Sequence, residues 1–224
     1  MTKLTPTCAK CPYAWPERLC HIEDGKGLGS CPTETKKELL AESMEKYKAP
    51  QELRCAQNAS IQEAECYERL EEGGVKPLKP RILEIAEFAE KMGYQRLGLI
   101  FCVGLVSEAR AVDTFYSGRG FEVVSVACKA GRTPKEAIGL NEEQKILPNT
   151  SEPMCNPIFQ ADILNHEKVD FNIIMGLCVG HDSLVIKYLN APVTVLAVKD
   201  RLMGHNPLAA VYNMGSYYAF LNNK

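Results

Sequence analysis

From residue 80 onward, short apolar runs alternate with stretches that carry helix signals, and that alternation leaves few folds open. The runs are 96–102 (RLGLIFC), 121–127 (FEVVSVA), 171–177 (FNIIMGL) and 193–199 (VTVLAVK). Strands that are apolar along their length have both faces covered, and helices between them make the sheet parallel. The spacing predicts helices over 80–92, 106–117, from Pro157, over 183–190 and from Pro207 toward Phe220. Gly93 stops the first of these, and Ser107, Asn156 and Asp182 stand where caps are wanted. The expected fold is α/β, with a parallel sheet of about four or five strands and helices on both faces. Crossovers of one hand send all strand C-termini to one edge, where ligands bind in such sheets.

That edge collects unusual chemistry. Cys102, Cys128 and Cys178 end strands, and Cys155 lies two residues before a predicted helix. Four thiols on rigid strand ends suit an iron–sulfur cluster or zinc. Helix N-termini beside them favour the thiolate form. His181, in GLCVGHD, is a fifth ligand or a proton donor beside the site. Lys199, Asp200, Arg201 and His205 follow the last strand and are expected at the same edge. Asp200 is placed to orient a histidine, and Arg201 to offset the charge of a thiolate-rich centre. Taken singly, each cysteine is equally a small buried hydrophobe.

Ahead of the alternating region the chain reads differently. Residues 1–33 hold Cys8, Cys11, Cys20 and Cys31 among Pro and Gly, without helix or strand periodicity. A C-x2-C pair is a common half-site for zinc or a cluster, and a segment so poor in apolar residues needs its metal to fold. His21 is an alternative ligand to one thiolate. Residues 34–48 and 51–72 read as two amphipathic helices closed by Gly73-Gly74, and 75–80 as a stiff linker. Cys55 and Cys66 fall on one predicted helix, roughly 16 Å apart along its axis, and cannot share a metal. The expected segments are therefore 1–33, 34–79 and 80–224.

Ten cysteines would suggest disulfides in a secreted chain. The opening residues lack the apolar core of a secretory signal. A cytoplasmic setting is expected, and there metal ligation or redox chemistry is the better reading. A net charge of −2 without a basic run speaks against nucleic acid. The longest apolar run is too short for a membrane span. No dinucleotide fingerprint, phosphate loop, H-E-x-x-H or G-x-S-x-G occurs.

The stretches FCVGLVSEAR, GFEVVSVACKAG, MCNPIFQADILN, GLCVGHDSLVIKYLNAPVTVLAVKDR and GHNPLAAVY resemble a family of predicted metal-binding proteins, domain of unknown function family 1847. The family is found mostly in anaerobic bacteria and archaea. The resemblance implies metal binding at Cys102, Cys128, Cys155 and Cys178, with His181, Asp182, Lys199, Asp200, Arg201 and His205 in the matching motifs. It also covers a cysteine cluster like Cys8, Cys11, Cys20 and Cys31-Pro32. It implies no reaction.

The function expected first is that of an iron–sulfur protein with a redox or electron-transfer role, acting on a small substrate or with a redox partner protein. Zinc is the alternative cofactor, and oligomers remain open. A thiol or persulfide enzyme using Cys155 or Cys178 with His181 as base is a second reading. A non-catalytic metal carrier is a third.

Overall fold

The structure, a computed structural model, describes residues 4–222. It divides into two compact units, with the boundary between Ile61 and Gln62. That boundary falls inside a helix and matches neither composition-based division, at 33/34 or at 79/80.

The first unit has short 3-10 turns at Cys8–Lys10 and Trp15–Glu17. Helices α1 (Pro32–Thr35) and α2 (Lys37–Lys46) follow, with α3 (Pro50–Glu65) continuing into the second unit. The expected helix 34–48 is broken at Lys36, whose backbone leaves the helical region (φ −130°, ψ 31°). From residue 4 to residue 61 no side chain is buried. This unit has no hydrophobic core.

The second helix of the expected pair is shorter than its periodicity suggested. It ends at Glu65, and β1 (Tyr67–Arg69) pairs antiparallel with β2 (Val75–Pro77). Gly73 and Gly74, both near φ +90°, make the reversal between them. The expected linker is therefore half of a hairpin. Cys66 is buried beside it and donates its S–H to the Gln62 carbonyl (3.0 Å), a packing role.

The rest is the parallel sheet. Helix α4 (Arg81–Met92) turns Ile85, Ala86, Ala89 and Met92 inward, and Gly93 closes it in the left-handed conformation (φ 72°). Strands β3 (Arg96–Phe101), β4 (Glu122–Ala127), β5 (Phe171–Met175) and β6 (Val193–Ala197) lie in the order β4-β3-β5-β6, all parallel. Helices α5 (Val106–Gly118), α6 (Pro157–His166), α7 (His181–Tyr188) and α8 (Leu208–Tyr212) complete it. Alternation decides which layer each strand residue joins. Leu97, Leu99, Phe101 and Ile173 pack with α4 and α5 on one face. Ile100, Val126 and Ile174 pack with α6 and α7 on the other. Fully burying each such side chain contributes about 1.5–3 kcal/mol.

Three expected strands overrun. They stop at Phe101, Met175 and Ala197, because Cys102 opens a 3-10 turn and Gly176 takes φ +68°. Ser107 caps nothing; the turn Val103–Leu105 runs directly into α5. Asn156 does cap α6, its Oδ1 accepting from Phe159 N–H (3.1 Å). Asp182 Oδ1 accepts from Gly180 N–H (3.0 Å) and Ser183 N–H (2.7 Å) at the start of α7. The expected last helix covers only five residues. Asn213 ends it, turning its amide back onto the Ala209 carbonyl (2.7 Å). Among the described residues no helix is long and apolar enough to cross a membrane.

Candidate functional site

From β3 the chain steps outward to β4, then passes back over β3 to place β5 on its other side. The switch point therefore lies between the C-termini of β3 and β5, the usual ligand crevice of such sheets. Cys102 follows β3 directly, and Cys178 follows β5 after Gly176 and Leu177. Cys128 follows β4, its N–H donating to the Phe101 carbonyl (2.9 Å).

Cys155 arrives by a longer route. Residues 129–153 form a loop held by its own polar contacts. The Lys145 ammonium, 1% exposed, pairs with Glu136 and with Glu142 (2.5 Å). Met154 N–H donates to the Thr133 carbonyl (2.8 Å), and Lys129 Nζ to the Pro153 carbonyl. Asn156 N–H then reaches the Cys128 carbonyl (2.8 Å). The loop so returns to its own beginning and sets Cys155 against Cys128, their sulfurs 3.7 Å apart.

Three thiols stand in a row with Cys128 in the middle. Cys128 is 1% exposed, and its Sγ accepts Val103 N–H (3.3 Å) and lies 3.7 Å from that of Cys155. Cys102 is half-buried, as is Cys155. The hydrogen bond from Cys128 holds the Cys102 thiol down at about 5 against desolvation, with help from the Gly104 N–H and the Lys199 ammonium. The same donor lowers Cys155 to about 6, with Lys129 and His181 adding positive charge. Cys128 itself is pushed strongly up by hydrogen bonding with Cys102 and Cys155 and by desolvation. Positive charge from Lys199 on one side and Lys129 on the other favours the thiolate forms of Cys102 and Cys155.

The other expected residues divide. Cys178 accepts from Arg201 Nη2 (2.9 Å), so the guanidinium takes up that sulfur. His181 opens α7, its N–H on the Cys178 carbonyl (3.0 Å) and its ring charge felt at Cys155. Asp200 orients no histidine by its carboxylate. Its Oδ1 accepts from Leu202 N–H (3.1 Å) and Met203 N–H (2.9 Å), folding a tight turn. His205 belongs to the same turn: its Nδ1 accepts from Asp200 N–H (3.1 Å), and its φ is +65°. Lys129 was not among the sequence candidates. Its position next to Cys128 was the available signal.

In the first unit, Cys8, Cys11, Cys20 and Cys31 all line one cavity of about 70 Å3. The chain crosses itself to make it: Lys26 N–H donates to the Glu17 carbonyl (2.7 Å) and Leu19 N–H to the Lys26 carbonyl (3.0 Å). Gly25 permits the crossing, since a Cβ there would sit 2.4 Å from the Arg18 backbone. His21 does not line the cavity; its ring packs on Trp15 at 4.8 Å. All ten cysteines are free. Among the described residues, no three His, Cys, Asp or Glu side chains are grouped so as to hold a single metal ion.

A family model described as a protein of unknown function, DUF1847, matches residues 31–196. The match spans Cys31, Cys102, Cys128, Cys155 and Cys178. An uncharacterized protein of Methanocaldococcus jannaschii, MJ0455, is 40% identical over 183 residues, covering 82% of this chain and 87% of that protein.

Proposed function

The chain belongs to the DUF1847 family, whose function is unknown, and we propose from its own residues that it is an iron–sulfur protein with its cluster in the first unit. Cys8, Cys11, Cys20 and Cys31 are the ligands. The observation that carries this reading is that four cysteines spread over the segment line one cavity, in a unit with no buried side chain among its described residues. Without a core among the described residues, a bound group would supply the free energy that orders this unit.

The size of the cavity bears on which group. A zinc ion brings every sulfur to about 2.3 Å, so any two of them stand within about 4.6 Å. The thiols here are not grouped in that way. They surround a volume of about 70 Å3 instead, several times the ~10–15 Å3 that one water needs. A polynuclear cluster fits such a space better than one ion. When bound, it supplies a one-electron couple tuned by exposure and by hydrogen bonds to its sulfurs. Cys8 and Cys20 are exposed, which suits electron exchange with a redox partner protein.

The test is anaerobic purification followed by iron, acid-labile sulfide and zinc analysis of the full chain. The reading expects iron and sulfide in equal amounts, lost in Cys8→Ser and Cys31→Ser and kept in Cys102→Ser. One zinc per chain without iron would refute it.

A further inference from the structure

The sheet-edge thiols belong to the second unit and have a chemistry of their own. We propose that Cys155 and Cys128 form a thiol–disulfide exchange site for small anionic disulfides, with Cys155 attacking and Cys128 resolving. The division of labour follows from placement. Cys128 is 1% exposed and out of reach of a substrate, whereas Cys155 is half-exposed. Cys102 and Cys128 follow neighbouring strands in register, Phe101 facing Ala127, and are held by the sheet. Cys155 is carried by the loop that returns to Cys128. Its sulfur is 3.7 Å from that of Cys128, so closing to the ~2.05 Å of a disulfide asks for a shift of only about 1.7 Å. Lys129 and His181 beside Cys155, and Lys199 beside Cys102, give a substrate with carboxylates something to bind.

The steps balance. The Cys155 thiolate attacks one sulfur of RSSR, breaking its S–S bond and releasing RS−, and leaves Cys155 joined to SR. Cys128 then gives up its proton to the buffer and attacks the Cys155 sulfur. The second RS− departs and a Cys128–Cys155 disulfide remains. Two protein thiols have lost two electrons, and the substrate disulfide has gained them. Cys178, held by Arg201, takes no part.

The experiment uses the reduced full chain, anaerobic at pH 7, with glutathione disulfide as probe and peptide mapping by mass spectrometry. The expected result is a Cys128–Cys155 link with two thiols released. Cys128→Ser should stop at a glutathione adduct on Cys155. A Cys102–Cys128 link, no reaction at Cys155, or a lasting adduct on Cys155 in the unaltered chain would overturn the assignment. The link map of the unaltered chain needs no variant to fold, and it is read independently of iron content.

Discussion

Replacing Cys128 with alanine removes one thiol and should change two others. In the folded protein Cys128 is the largest cause of the depressed values of both Cys102 and Cys155, about 5 and about 6 against an ordinary 9.0. A hydrogen bond to a charged group is worth about 1.5–3 kcal/mol, and one pH unit corresponds to about 1.36 kcal/mol. Loss of the donor should therefore raise the Cys155 midpoint by roughly 1–2 units, to between about 7 and 8. Lys129 and His181 keep it below the ordinary value. The assay is the iodoacetamide alkylation rate of the Cys155 peptide as a function of pH, since only the thiolate reacts. In the unaltered chain the rate should climb as pH rises through about 6 and level off by neutrality. In Cys128→Ala it should still be climbing at neutral pH. The absolute rate is a poorer guide, because nucleophilicity falls with the pKa and cancels much of the gain in thiolate. A midpoint unmoved by the substitution would show that Cys128 is not the donor and would undo the account of the thiol row.

Stripping metal with a chelator should abolish amide-exchange protection across residues 4–61 and leave β3 and β5 protected, because only the second unit has a core. Gly25→Ala sets a Cβ 2.4 Å from the Arg18 backbone, and purified protein should then retain less than about half the iron of the parent, since neither chain segment can yield. Leu164→Ala removes a fully buried side chain under α6 and should cost about 2–5 kcal/mol in urea denaturation; a smaller loss would mean that the α6 layer is loosely packed.

The periodicity that named four apolar runs was enough for the parallel sheet, because the two central runs, β3 and β5, are buried almost throughout by helices on both faces, and the edge strands β4 and β6 are partly covered. Local patterns did worse where backbone geometry competes with them. The helical spacing of 51–72 continues past Glu65, yet paired glycines with positive φ fold that end into a hairpin. Strand ends were overrun for a related reason, since Gly176 turns the chain before the apolar run is over.

Residue identity and spacing determined that cysteines would stand at one edge of a parallel sheet, and that the first segment had too little apolar content for a core. Distances were beyond them. Only the tertiary structure decided that Cys128 and Cys155 touch, that Arg201 takes up Cys178, and that Asp200 and His205 spend their bonds on a turn. The physical reason is the loop 129–153. Its path is governed by a buried lysine and by backbone bonds back to its own beginning, and such long-range closure leaves no periodic trace in the chain.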